Sequence, residues 1–119
     1  MQWSDAVRLA GRLPGGELST SYGSPSLKVA GKLLTRLRPD GHSLTLHDVP
    51  VEEREALIAA QPETFHTTPH YQDYPIVLAR LSVISEPDLL GFLTRRWRTI
   101  APKRVIAAFD AADMSEARR

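Results

Sequence analysis

The sequence predicts an α+β fold, a two-layer domain in which an antiparallel sheet (a meander plus one or two further strands) carries helices packed on it. Three observations predict it. Short segments with alternating apolar residues, parted by glycine and proline turns, fill residues 18–48. Stretches with helical spacing precede and follow them. A nearly continuous apolar run, 76-IVLARLSVI-84, reads as a central strand.

Taken in order, Ser4-Asp5 ahead of AVRLAGRL reads as a capped helix start, with Val7, Leu9, Ala10 and Leu13 as its apolar stripe and Pro14-Gly15-Gly16 as its stop. Leu18 to Tyr22 is the first strand, closed by Gly23. SLKVA follows, with Leu27 and Val29 on one face and Lys28 on the other. After the Ala30-Gly31 turn comes KLLTRLR. Strict alternation there places Leu33, Thr35 and Leu37 on one face and Leu34, Arg36 and Arg38 on the other. Pro39-Asp40-Gly41 is a turn, since proline presets φ and glycine accepts a positive one. SLTLHD then points Leu44 and Leu46 inward and Ser43, Thr45 and His47 outward. Pro50 opens a helix whose first turns hold Glu52, Glu53 and Glu55, where the dipole favours them, and Pro62 ends it. Glu86-Pro87-Asp88 starts a further helix with the stripe Leu89, Leu90, Leu93, Trp97 and Ile100, in which Gly91 is a weak point. Pro102 breaks it, and KRVIAAFD makes a short final helix.

The chain has 119 residues, the length of one domain, predicted over 1–110 with 111–119 as a flexible C-terminal tail. With no cysteine, disulfides, thiolate metal sites and thiol nucleophiles are excluded. No apolar run reaches the roughly 18 residues of a membrane span. The start, MQWSDAVRLAGRL, lacks the apolar core of a signal peptide, so a cytoplasmic protein without membrane contact is expected. A net charge of +1 makes no global case for nucleic acid, which leaves local clusters to be weighed.

Four motifs in the right order resemble the MmcQ/YjbR family: LPG at 13–15, SYGSPSLKVAGKLLTRL at 21–37, EEREALIAAQPETFHTTPHYQDYPIVLARL at 52–81 and APKRVIAAFD at 101–110. Together they span nearly the whole chain. The resemblance implies a YjbR-like fold, similar to secretion-chaperone-like domains and to frataxin, and suggests DNA binding through a double-wing arrangement. The family's biochemical role is largely undefined. Positions 33 and 34 are Leu-Leu, where many members carry an aromatic after the Gly-Lys pair.

Several clusters bear on function. His66 and His70 stand four apart, a metal-binding spacing on a helix, but Pro69 lies between them and argues against one, so a hydrogen-bonded structural loop is the expectation. No Gly-x-Ser-x-Gly elbow occurs, and Asp48, next in the strand to His47, points away from it. Gly15-Gly16 and Gly31-Lys32 lack phosphate-loop spacing and read as turns. No catalytic residue, metal or cofactor is therefore expected, and the chain reads as a non-enzyme. Two basic groups stand out: Lys28, Lys32, Arg36 and Arg38 on the hairpin, and Arg95, Arg96, Arg98, Lys103 and Arg104 in RRWRTIAPKR. Basic side chains on a hairpin wing would meet phosphates, with Tyr22, Tyr71 and Tyr74 as stacking planes. The alternatives are a surface for a protein partner or a second copy, and plain solvation. His70, Tyr71 and Tyr74 form a further candidate contact surface, and Trp97 is expected in the core.

Overall fold

The computed structural model describes residues 1–117, with side chains through residue 114. Its elements run α1 (Trp3–Ala10), β1 (Gly16–Ser21), β2 (Ser24–Val29), β3 (Lys32–Arg36), β4 (Ser43–His47), α2 (Val51–Ala60), β5 (Phe65–His66), β6 (Ile76–Arg80), α3 (Glu86–Ile100) and α4 (Lys103–Ala117). The fold is α+β. Two three-stranded antiparallel sheets, ordered β1-β2-β3 and β4-β6-β5, carry the helices. The run after Pro75 is central in its sheet, as its unbroken hydrophobicity predicts, but it pairs only as far as Arg80 and then turns.

Both hairpins of the first sheet close on two residues with positive φ, Tyr22-Gly23 (53° and 77°) and Ala30-Gly31 (52° and 78°). That sign at both positions belongs to the primed turn whose twist matches paired strands. Between β2 and β3 the register slips: Lys28 faces Leu33 while Leu27 faces Thr35, so Leu34 is an extra residue, a bulge. The strict alternation expected for 33–38 is overturned there. Leu33 and Arg36, which alternation would separate, share a face, and Leu34 drops into the core.

β3 and β4 lie side by side, joined by one bridge, Leu37 to Leu44, and by side chains. Thr35 Oγ1 donates to the Thr45 carbonyl at 2.7 Å, and the Arg36 amide donates to Thr45 Oγ1 at 3.0 Å. These bonds satisfy strand-edge groups that would otherwise be buried unpaired.

The core lies between the sheets and α1, α3 and α4. Leu27, Val29, Leu34, Leu44 and Leu46 meet Leu9, Leu89, Leu93 and Trp97, all buried. Leu89, Leu93, Trp97 and Ile100 recur at helical spacing, which is why α3 buries one stripe. Ser85 caps it by accepting the Asp88 amide at 3.2 Å. Trp97 is fully buried, donates Nε1–H to the Pro14 carbonyl at 2.8 Å and packs on Phe109 of α4. The last helix, expected to be short, continues to Ala117 through a run of good helix formers. Residues 118 and 119 of the expected tail lie outside the described residues. Among the described residues no helix is long and apolar enough to cross a membrane.

Candidate functional site

Strand alternation gives the sheets a second face, away from α1 and α3, and a cleft of about 500 Å³ opens on it. Leu33 and Arg36 come from β3, Arg38 from just beyond it, Thr45 and His47 from β4 and Ile76 from β6. Tyr22 reaches it from the β1–β2 turn, and His70, Tyr71 and Tyr74 from the segment leading into β6.

One phenol ties Arg36 and Arg38 together. Arg36 Nη2 donates to Tyr71 Oη at 2.6 Å, and Arg38 Nη1 reaches the same oxygen at 3.4 Å. The Arg38 guanidinium also lies 5.1 Å from the centre of the Tyr71 ring, a cation–π contact. Arg36 is only 7% exposed. Among the described residues no carboxylate forms an ion pair with Arg36 or Arg38. A buried cation normally demands such a partner, so this one is under-compensated from inside the protein. Beneath it, Ser26 faces Arg36 across the β2–β3 pair, and its buried hydroxyl has no partner among the described residues.

Tyr22 is the reverse case, 95% exposed. Its φ of 53° is an uncommon backbone state for an aromatic, and its ring lies 5.8 Å from the Arg36 guanidinium. A strained, solvated aromatic at the mouth of a cleft is poor for folding and suited to contact.

The segment that covers one side of the cleft is held by Arg54 of α2, which is fully buried. Its guanidinium donates to the carbonyls of Tyr71 (3.0 Å), Gln72 (2.8 Å), Tyr74 (3.0 Å) and Ile76 (3.4 Å). One planar group thus gathers four backbone acceptors and sets where His70, Tyr71 and Tyr74 stand. Sequence reasoning missed Arg54, although a signal existed: it falls at helical spacing between Val51 and Ile58, a charge where a core-facing residue belongs.

His47 contributes a neutral imidazole. Burial is the first cause that pushes its pKa down to about 4, the positive charge of Arg96 adds to it, Asp48 opposes, and Arg36 contributes a little more. Its Nε2 lies 2.9 Å from Thr45 Oγ1. That oxygen already accepts the Arg36 amide, so its own proton is free for Nε2, which favours the tautomer protonated on Nδ1. Asp48 indeed turns elsewhere, to Arg96 at 3.2 Å.

The structure separates the two basic groups. Arg36 and Arg38 line the cleft, with Lys28 half-buried on the same face, opposite Glu17 in register, and Lys32 exposed at the hairpin end. The arginines of α3 belong to the layer behind, and each has an acid: Arg95 a two-pronged pair with Glu53 (both contacts 2.9 Å), Arg96 with Asp48, and Arg98 with Asp110 (2.8 and 3.1 Å). Lys103 and Arg104 are exposed at the start of α4. The two histidines of the 66–70 pair meet different neighbours. His66 Nε2 lies 3.5 Å from Ser43 Oγ, and burial, then Arg80, lower its pKa. His70 is exposed and stacks edge-on to Tyr71, its ring centre 4.7 Å away. Among the described residues no group of three potential ligands is placed to hold a metal.

Chemically, the cleft offers two guanidiniums with donors to spare, a phenol, a neutral imidazole and aromatic planes. Such a set has the chemistry to pair with an anion and to stack on a flat group.

No family model matches the chain, and no solved structure matches it significantly. It is similar to the uncharacterized proteins Rv2570 and MT2646 of Mycobacterium tuberculosis and Mb2600 of Mycobacterium bovis. Each is 35% identical over 124 residues, covering 90% of this chain and 94% of the relative. At that identity over nearly the full length of both partners, the chain belongs to the family of these uncharacterized mycobacterial proteins.

Proposed function

We propose that this is a cytoplasmic DNA-binding protein of the MmcQ/YjbR type, a binding module rather than an enzyme, which meets phosphate with the hairpin face of the sheet. The observation that carries the reading is Arg36, a buried guanidinium open to a cleft and lacking a carboxylate among the described residues. Arg38 beside it and Lys32 and Lys28 along the hairpin extend the positive surface, and Tyr22 and Tyr74 are exposed for stacking. The α3 arginines are left out of the surface because their charges are matched within the fold. The test is fluorescence anisotropy with a labelled single-stranded oligonucleotide across a salt series. With up to four contacts, log affinity should fall against log salt with a slope no steeper than about −3, at roughly 0.7 per phosphate. Arg38→Ala should weaken binding, and Arg95→Ala and Arg98→Ala should leave it nearly unchanged. Absence of binding at low salt overturns the reading.

A second reading, a protein-interaction module or homodimer, is favoured by one observation. β1 is the edge of its sheet, and Leu18 stands 68% exposed on it. Light scattering that gives a monomer at all concentrations removes the homodimer.

A further inference from the structure

We propose that the Arg36–Tyr71–Arg38 cleft is a subsite for a nucleoside phosphomonoester, a phosphate carrying two negative charges attached to one unpaired base. This deepens the DNA-binding reading and rests on it.

Charge is the first ground. A phosphodiester within a strand brings one negative charge, whereas a terminal phosphate brings close to two. Arg36 and Arg38 converge on a single phenol oxygen, at 2.6 and 3.4 Å, and neither has a carboxylate partner among the described residues. Two guanidiniums around one point match the dianion. Tyr71 Oη accepts from both arginines, so its own proton is left to donate outward, which a dianion takes better than a monoanion. Arg36 is also held on a backbone anchored to Thr45, and its guanidinium is held by Tyr71 Oη.

Shape is the second ground. At about 500 Å³ the cleft is within the range of small-molecule sites, about 300–1,000 Å³, and has room for one nucleotide. A duplex would touch only its rim. Tyr22 from one hairpin turn, and His70 and Tyr74 from the segment before β6, supply aromatic faces at its mouth. A base freed from pairing offers a face to stack on, and one inside a helix does not. Tyr22 sits in an unfavourable backbone state with its ring in water, and a stacking role would account for that.

Two sources share this chemistry, the phosphorylated end of a single strand and a free nucleoside monophosphate. Competition anisotropy separates them, using a single-stranded oligonucleotide with and without a 5′-phosphate, the same with a 3′-phosphate, a blunt phosphorylated duplex, a free nucleoside monophosphate and its nucleoside. An end-phosphorylated strand should bind about tenfold tighter than its unphosphorylated twin, and the monophosphate should outcompete the nucleoside by a similar factor, since each charge-assisted contact contributes that order. Arg38→Ala and Tyr71→Phe should each erase most of this preference, with folding checked by circular dichroism. Arg38 is only partly buried, and the phenylalanine keeps the ring, so both variants keep the question answerable where Arg36→Ala fails to fold. Strands that bind equally with and without a terminal phosphate overturn the subsite and leave DNA binding standing. Free monophosphate that binds in direct titration calorimetry while no oligonucleotide does supports the subsite and overturns the DNA reading. No binding by any of these probes overturns both.

Discussion

Replacing Arg54 by leucine removes a fully buried guanidinium and leaves behind the four carbonyls it holds, those of Tyr71, Gln72, Tyr74 and Ile76, at 2.8–3.4 Å. A hydrogen bond to a charged group is worth about 1.5–3 kcal/mol, but four such bonds to one group do not add, and water will reach the more exposed carbonyls. Losing one partner of a buried charged network costs about 3–5 kcal/mol, and that is the loss expected for Arg54→Leu. Against a typical domain stability of about 5–15 kcal/mol, this is a large share. Arg54→Lys keeps the charge but lacks the planar fork that spans several acceptors, so an intermediate loss is expected. Urea unfolding followed by circular dichroism gives the total. Hydrogen exchange read at residues 70–76 shows whether the loss is local, with protection falling there first. An Arg54→Leu protein within about 1 kcal/mol of the parent, with exchange at 70–76 unchanged, refutes the claim that this side chain organises the cleft wall.

Three further outcomes follow from the same structure. His47 is held neutral, its pKa down from 6.5 to about 4, so the unfolded chain binds its proton first and stability should fall as pH drops from about 6.5 to about 4, by up to about 3 kcal/mol. His47→Gln should flatten that slope in urea melts at pH 7 and pH 4.5, leaving the smaller part due to His66, whose pKa is lowered too; an identical slope in the variant shows that His47 is not the group responsible. Gly91 lies exposed within α3, and an added methyl would meet nothing within 4 Å, so Gly91→Ala should raise stability by about 0.5–1 kcal/mol; a lower melting temperature contradicts this. Tyr22→Asn should stabilise the hairpin by up to about 1 kcal/mol, since asparagine tolerates the left-handed state, while weakening nucleic-acid binding; a loss of both assigns Tyr22 to folding instead.

What could be read from the sequence was whatever a few neighbouring residues decide. The Pro39-Asp40-Gly41 turn is one case: Asp40 accepts the amides of His42 and Ser43 at 2.8 and 2.9 Å, and that chemistry is local. The inward pair Leu44 and Leu46 and the stripe of α3 follow equally from period alone. What escaped depends on a partner distant in the chain. The bulge at Leu34 exists only relative to β2, so nothing within 32-KLLTRLR-38 announces it. The acids that match the α3 arginines, Glu53 and Asp48, lie 42 and 48 residues before Arg95 and Arg96, which made RRWRTIAPKR look like open positive charge. The division into two sheets rests on Thr35 and Thr45 bonding across β3 and β4 in place of a full ladder, a matter of side chains that strand patterning does not register. Of the candidate surface, His70, Tyr71 and Tyr74 do come together with Arg36 and Arg38, and no sequence spacing linked the two.

The extra residue in β3 also changes how relatives should be compared. Everything after Leu34 has exchanged sides with respect to plain alternation, so the makeup of the cleft depends on the bulge as much as on which residues follow it. The same number of residues without the bulge would turn Arg36 and Arg38 toward the helix layer and bring Thr35 and Leu37 to the open side, whereas loss of Leu34 would leave Arg36 opposite Ser26 and on the open side. An alignment with an unbulged relative that sets the gap after Leu34 rather than at it would equate residues standing on opposite sides of their sheets. For tracing the cleft through the family, the pairing of Arg36 with Ser26 is therefore a sharper marker than an arginine in the matching column.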